Sequence, residues 1–210
     1  MKIDEPHVPL EWLVEPHLGR AEVIYARATA LLEKMGQCGI QGGWFAEVGT
    51  FDGAFARMIL RNTPYPLQWE CVDTWLEPDP CSEYAKSGDS TAKVGQKMLD
   101  RAMAMTMENI GPYVALGRAA ITPVDSVIAA RSSYFGKYAG AFIDADHSEY
   151  GVARDLRAWW PVIRPDGLLS GHDWDLFGVT PAIRAWMLEI GMEARRLEFG
   201  KDSTWFLRKP

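Results

Sequence analysis

The sequence predicts one α/β domain in which parallel strands alternate with helices. Short apolar runs that end in glycine or in an acid are each followed by a segment with apolar residues at helical spacing. Near the C-terminus, the strand-like segments 193–199 and 204–209 are too close for a helical crossover, so they must pair antiparallel. A length of 210 residues suits a single domain with a full core.

The first part of the chain predicts a helix and then two strands. Apolar residues recur at helical spacing over 21–35, and Gly36 stands where that helix would stop. Residues 44–48 predict a strand, which a glycine turn joins to a helix at 54–60. A second strand ends at Asp73.

The middle of the chain begins with a segment that has no periodicity. Residues 76–95 are rich in Pro, Ser, Asp and Gly and predict a long surface loop. Loops of that length often have a function. Together with the N-terminal segment, this loop is expected to form a lid in which Trp12 and Tyr84 contact the acceptor. A helix over 96–109 and strands at 119–124 and 141–143 follow.

The last part of the chain repeats the strand and helix alternation. One face of a helix carries Val152, Leu156, Trp159 and Ile163, and the next strand covers 168–170. Further helix signals begin at Thr180 and Pro181 and end at Gly191. The pattern adds up to five strand–helix units and a hairpin, with no internal repeat.

Composition excludes several classes of protein. A net charge of −6 gives no basic footprint for nucleic acid, and 48% apolar with 24% charged residues is ordinary for a soluble globular protein. No run is long enough to cross a bilayer, and the N-terminus does not resemble a secretory signal, so we expect a cytoplasmic protein. Cys38, Cys71 and Cys81 form no CxxC pair and are expected to be free thiols.

Acids and histidines cluster where two predicted strands end. The first strand is followed by Asp144, Asp146 and His147, and the second by His172 and Asp173. Ligands of open α/β sheets bind outside the carboxyl ends of the strands, so these side chains are expected to meet at one crevice. A single acid there would be an ordinary cap or turn residue, but the pattern occurs twice, one helix apart.

The first strand leads into the turn EVGTFDG. Gly49 permits a tight turn, and Gly53 lets the following helix begin close to a ligand. About twenty residues later, Asp73 is placed to accept both hydroxyls of a ribose, and Trp75 offers a ring face for adenine. The spacing is not the G-x-G-x-x-G of a dinucleotide site, which argues against a nicotinamide dehydrogenase.

These segments together resemble a known family over nearly the whole chain. EVGTFDG, VDTW, FIDADHSEYGVARDL, RPDGLLSGHDW and the final hairpin are similar to class I S-adenosylmethionine-dependent methyltransferases, in particular a small bacterial group with an "IDgDHsYegv" segment. The resemblance implies a Rossmann-like, doubly wound, seven-stranded and mostly parallel sheet whose last strand is inserted antiparallel. The predicted division is an N-terminal helical extension and lid over 1–40, then the S-adenosylmethionine-binding domain over 41–210.

The resemblance also implies which residues bind the cofactor. Glu47 and Gly49 would contact the methionine moiety, Asp73 the ribose, and Asp125 and Ser126 the adenine. The cofactor's amino acid end would face Asp146. The same segments supply four further candidates: Thr50, Gly53, Thr74 and Trp75.

A looser resemblance extends to the metal-dependent catechol and caffeoyl-CoA O-methyltransferases. Asp144 and Asp173 match the acids that hold a divalent ion there, which would be Mg²⁺, Mn²⁺ or Ca²⁺ in this chain. Where that pattern has an Asn after the second acid, this chain has Trp174, which cannot coordinate a metal. His172, Asp175 or water would have to take its place.

The expected activity is methyl transfer from S-adenosylmethionine to a small-molecule acceptor, most simply at a hydroxyl oxygen. A metal or a histidine, His147 or His172, would assist deprotonation, with Asp144 beside them. Alternatives are a nucleic-acid or protein methyltransferase, which the acidic balance disfavours, and a non-catalytic S-adenosylmethionine-binding protein, which both acidic strand ends disfavour. We expect no membrane partner and leave a homodimer open.

Overall fold

The computed structural model describes residues 18–63, 66–133, 136–176 and 178–210. The predicted lid segment before residue 18, with Trp12, lies outside these residues, and the division of the chain at residue 40 stays a prediction. The strands in these ranges are β1 Gly43–Val48, β2 Leu67–Asp73, β3 Ala119–Pro123, β4 Tyr138–Ile143, β5 Ile163–Gly171, β6 Leu197–Phe199 and β7 Trp205–Arg208. The α-helices are α1 Leu18–Gln37, α2 Ala54–Asn62, α3 Glu83–Lys86, α4 Gln96–Ala115, α5 Ser126–Arg131, α6 Glu149–Val162 and α7 Val179–Glu189.

The strands form one seven-stranded sheet in the order β3-β2-β1-β4-β5-β7-β6. Neighbours from β3 to β5 are parallel, whereas β7 runs antiparallel between β5 and β6. The strand order reverses between β1 and β4, which is where α/β sheets of this kind bind ligands. The predicted doubly wound sheet with a C-terminal antiparallel pair is confirmed.

Helices cover both faces of the sheet, so the central strands are buried on both sides. On one face, α1, α2 and α4 pack around Phe45 and Trp69, whose rings stack with centroids 5.0 Å apart. On the other face, α5, α6 and α7 pack around Trp159 and Ile183, neither of which is exposed to solvent. The two apolar layers hold the strand ends at fixed positions.

Four local features differ from the sequence prediction. Ile163, predicted on a helix face, begins β5, which extends to Gly171 instead of covering only 168–170, because its backbone pairs with β4 at Tyr138. Helix α4 continues past residue 109 to Ala115 with Pro112 inside it, because packing of its buried face outweighs the lost backbone hydrogen bond. The six-residue helix α5 is too short to show periodicity; Asp125 caps it by accepting from Val127 N and Ile128 N. The 76–95 loop contains α3 and a 3-10 turn at Thr91–Lys93.

No helix in the described part of the chain is long and apolar enough to cross a bilayer.

Candidate active site

The candidate site lies at the switch point, where the ends of β1 and β4 meet. Gly49 follows β1 with a φ of +93°, and a Cβ built there would lie 2.2 Å from the backbone oxygen of Asp144. The position therefore requires glycine for two reasons, its left-handed conformation and the close approach of the neighbouring strand end. Gly178 plays a similar part beside the next turn, since its Cβ would lie 2.1 Å from the backbone oxygen of His147.

One cavity, of about 420 Å³, follows the ends of β1, β2 and β3. Its wall contains most of the residues predicted to bind the cofactor: Gly49, Asp73, Thr74, Asp125, Ser126 and Asp146. It also contains Arg154 and Asp155, which local sequence patterns did not indicate, and Tyr84, which was expected to face the acceptor as part of a lid. We call this cavity the cofactor cleft.

Asp73 is held by backbone amides at the edge of the cofactor cleft. Its Oδ2 accepts from Phe51 N at 2.9 Å and its Oδ1 from Trp75 N at 2.8 Å. Burial raises the pKa of this carboxyl, and the amide hydrogen bonds oppose that rise. Each oxygen keeps a further lone pair that can accept a hydroxyl.

Trp75 does not line the cofactor cleft. Its ring is 2% exposed, and its Nε1 donates to the backbone oxygen of Phe51 at 2.6 Å. The indole thus ties the β2 turn to the β1 turn, and its faces pack inside the protein. The adenine contact expected from sequence position has no support in this arrangement.

The remaining predicted cofactor residues lie at the end of β1 and on the turn that follows. Glu47 and Thr50 are buried and face a second cavity, whereas Gly53 lies in the wall of neither. A Cβ built at Gly53 would lie 3.2 Å from the Cα of Thr106, so glycine allows the start of α2 to pack closely on α4. Glu47 accepts from Trp69 Nε1 at 2.9 Å, and burial raises its pKa well above the usual range. A carboxyl with a raised pKa beside a cleft is typical of a functional site.

The second cavity, of about 750 Å³, opens beside the cofactor cleft and shares Gly49, Phe51, Asp144 and Ala145 with it. Its apolar wall comes from three helices and two loops: Val23, Ile24, Phe51, Phe55, Val94, Met98, Ala102 and Met105. At its polar end lie Asp144, His147 and Asp173. We call it the acceptor cavity, for the size and mixed lining typical of a small-molecule site.

His147 is the centre of the polar end. Its Nδ1 donates to Asp89 Oδ2 at 2.6 Å, and its Nε2 lies 3.1 Å from Asp173 Oδ2 and 3.4 Å from Asp144 Oδ1. Burial lowers the pKa of this imidazole, but the hydrogen bonds and charges of Asp144, Asp89 and Asp173 outweigh burial and raise it to about 10. At neutral pH the side chain is therefore a cation among carboxylates.

Arg27 reaches into the same cluster from α1. Its Nη1 forms a salt bridge with Asp144, and its Nη2 lies 2.9 Å from His172 Nδ1. The same Nδ1 also faces Asp173, and the other ring nitrogen, Nε2, lies 3.4 Å from Asp202 Oδ2. Arg27, Asp89 and Asp202 could not be predicted as part of the site, since nothing in their local sequence links them to residues far away in the chain.

The structure separates the predicted residues into two groups. Asp144, His147 and Asp173 line the acceptor cavity, whereas His172 is 7% exposed and stands behind them. Its position suits it to orient Asp173, whose Oδ1 lies 3.0 Å away from its Nδ1. Asp175 accepts a hydrogen bond from Ser203 Oγ instead of joining the cluster.

The cluster also fits a divalent cation. One oxygen or nitrogen each from Asp144, His147 and Asp173 lies within 4.8 Å of the others, and among the described residues these three form a group that could hold an ion. The buried Nε2 of His147 faces both carboxylates. His147 thus lies where the sequence predicted His172, Asp175 or water as the third ligand.

The end of the cofactor cleft beside β3 rests on a buried carboxyl. Asp155, on α6, has no exposure; it accepts from Ser126 Oγ, and its Oδ2 has no hydrogen-bond partner. Asp125 Oδ2 pairs with Arg154 at 3.0 Å. Asp125 and Ser126 are therefore both fixed by α6, which explains why the loop after β3 holds its position in the cleft.

Fold and cleft define a Rossmann-like α/β protein with a cleft at its switch point. A protein family described as "Methyltransferase domain" matches residues 46–174, which is more than half of the chain. The chain belongs to this family of methyltransferases. No curated protein sequence matches it.

Solved structures with the same fold include several methyltransferases. CalS11, a calicheamicin methyltransferase, is 15% identical with a TM-score of 0.64, over 96% of this chain and 87% of its own. A S-adenosylmethionine-dependent methyltransferase assigned in Methanococcus maripaludis is 13% identical with a TM-score of 0.61, over 100% and 94%. A protein described as a caffeoyl-CoA O-methyltransferase from Staphylococcus aureus is 12% identical with a TM-score of 0.57, over 94% and 92%. At these identities the likeness shows the fold alone.

Proposed function

We propose that this protein transfers a methyl group from S-adenosylmethionine to a hydroxyl oxygen of a small molecule. The observation that carries the proposal is the pair of adjoining cavities, which share Gly49, Phe51 and Asp144. A donor in the cofactor cleft and an acceptor in the second cavity would meet at that shared wall. Methyl transfer needs this alignment more than any other contribution, because it is an in-line displacement.

The donor would lie across the ends of β1, β2 and β3. Its ribose hydroxyls would use the free lone pairs of Asp73, and its adenine would lie beside Asp125 and Ser126. The methionine end would lie towards Glu47 and Asp146. Each of these side chains is already fixed by a hydrogen bond or by burial, so little ordering remains when the donor binds.

The polar end of the acceptor cavity would deprotonate the acceptor and stabilise the resulting oxyanion. The carboxylates of Asp144 and Asp173 can accept a proton, and Arg27 and the charged His147 supply positive charge beside them. His147 holds its own proton between three acids, so we assign it to electrostatic stabilisation rather than to proton abstraction. His172 would orient Asp173.

A divalent cation would bind to Asp144, Asp173 and the Nε2 of His147, and it would displace the proton from that nitrogen. When bound, such a cation supplies a charge that stabilises a deprotonated oxygen. In a chain without one, Arg27 already neutralises Asp144, and the imidazole lies between the two carboxylates. These positive charges thus offset the repulsion between the carboxylates of Asp144 and Asp173.

Donor binding tests the first part of the proposal. We expect S-adenosylhomocysteine to bind in calorimetry and Asp73→Ala to weaken binding by about 1.5–3 kcal/mol, because two hydroxyls lose a charged acceptor. Asp166→Ala, an exposed acid at the far end of β5, is the matched control and should bind normally. Equal affinity in all three proteins would refute the placement of the donor.

Turnover and metal binding test the second part. Release of S-adenosylhomocysteine with a panel of hydroxylated aromatic compounds should be seen for the wild type and lost in Asp144→Asn; no turnover with any acceptor would favour a non-catalytic binding protein. Calorimetry of the EDTA-treated protein with Mg²⁺ and Mn²⁺ should show binding that Asp173→Asn removes and Asp175→Asn keeps. Absence of binding, with full activity in EDTA, would assign the chemistry to Arg27, His147 and the carboxylates alone.

A further inference from the structure

Helix α4 presents one arginine in the middle of an apolar stripe. Met98, Arg101 and Met105 follow one another at intervals of three and four residues, so they share one face of the helix. All three line the acceptor cavity, and Ala102 beside them does too. An apolar residue would continue the stripe at position 101, but a cation stands there.

Arg101 has no acidic partner among the described residues. The other two arginines of the site are paired, Arg27 with Asp144 and Arg154 with Asp125. The neighbouring acid, Asp100, accepts from Gln96 Nε2 at 2.8 Å. Lys97, one turn earlier, is exposed and adds positive charge on the same side of the helix.

The acceptor cavity therefore contains both paired charges and, among the described residues, an unpaired cation. The paired charges belong to the Asp144–His147–Asp173 cluster, where Arg27 neutralises Asp144 and the imidazole lies between the two carboxylates. The unpaired cation is the exposed guanidinium of Arg101. The same wall contains Phe51, Phe55, Met98 and Met105, apolar side chains whose thioethers adapt to flat rings.

We propose that the acceptor is a hydroxylated carboxylic acid with an apolar body of aromatic size. Its hydroxyl lies at the Asp144–His147–Asp173 cluster, and its carboxylate pairs with Arg101. A free amine or other cation beside Arg101 would be repelled by Arg101 and Lys97, whereas a carboxylate there would give Arg101 the partner that the positive charges of the cluster already have. This inference rests on the proposed function, since it names the substrate class of the same site.

The test uses two probes that differ by one charge: a hydroxynaphthoate with hydroxyl and carboxylate on opposite rings, and its methyl ester. Both are fluorescent and carry the same apolar body. Binding is measured by fluorescence titration on the protein saturated with S-adenosylhomocysteine, in the wild type, in Arg101→Met and in Arg131→Met. The last is the matched control, an exposed arginine on α5 outside both cavities.

We expect the wild type and Arg131→Met to bind the acid about fivefold more tightly than the ester, the size of a partly exposed ion pair. In Arg101→Met the preference should vanish, with ester affinity retained, because methionine keeps the apolar wall. High salt should reduce the wild-type preference as well.

An equal preference in Arg101→Met, a preference for the ester, or no binding of either probe at millimolar concentration would overturn the proposal. Failure of the proposed function is distinguished by the first step of the titration. If S-adenosylhomocysteine does not bind, the methyltransferase site itself is misplaced; if it binds and the acid shows no preference, only the substrate class is wrong.

Discussion

The buried carboxyl of Asp155 makes the stability of this protein depend on pH in a way that one substitution should remove. Burial raises its pKa from 3.8 to about 7; the hydrogen bond from Ser126 and the charge of Arg154 oppose the rise, and the charges of Asp125 and Asp146 add to it. The folded state thus binds a proton at pH values where the unfolded chain has lost it. Its contribution is fully present below pH 3.8 and is lost as the pH rises to about 7.

The magnitude follows from the two pKa values. A difference of about three units corresponds to about 4 kcal/mol of unfolding free energy at one group. Asp155→Asn removes the titration and keeps the shape and a hydrogen-bond partner for Ser126. Relative to the wild type, the variant should therefore gain stability progressively between about pH 4 and pH 7 and stay level above that.

The assay is urea unfolding at a series of pH values from acid to pH 8, with the difference in unfolding free energy plotted against pH. Asp166→Asn is the matched control, because Asp166 is exposed on β5 and its side chain contacts Arg208 at the surface. Parallel profiles for the wild type and Asp155→Asn would refute the reasoning. So would a variant that loses stability as the pH rises.

Two further predictions concern the switch point. Gly49→Ala should cost several kcal/mol of stability or prevent folding, since its Cβ would meet the Asp144 backbone. The control, Gly88→Ala, also has a positive φ, +86°, but its Cβ would lie in open space, so it should cost only about 1 kcal/mol in thermal unfolding. Equal losses of stability in the two variants would show that the close approach of the Asp144 backbone plays no part. Arg27→Met should abolish methyl transfer while S-adenosylhomocysteine affinity in calorimetry changes little, because Arg27 pairs with Asp144 but does not itself line the cofactor cleft. An active Arg27→Met enzyme would remove Arg27 from the chemistry.

The sequence by itself determined the fold and the location of the site. Apolar runs fixed the central strands because those strands are buried on both faces, and the short link between the last two allowed only antiparallel pairing. Acids after β4 and β5 had to meet because parallel strands end at the same edge. For that reason Asp144, His147 and Asp173 could be predicted together.

Only the tertiary structure decided what surrounds those residues. Arg27, Asp89 and Asp202 come from a helix, a loop and a hairpin turn. Arg27 and Asp144 are 117 residues apart, and no local sequence pattern predicts that they form a salt bridge. Two side chains also have other surroundings than the sequence predicted. Trp75 is buried and does not line the cofactor cleft, and Asp175 accepts a hydrogen bond from Ser203 and does not join the acidic cluster. The type of residue at a strand end follows from the sequence, but its charge state and its partners depend on which distant side chains the packed helices bring to it.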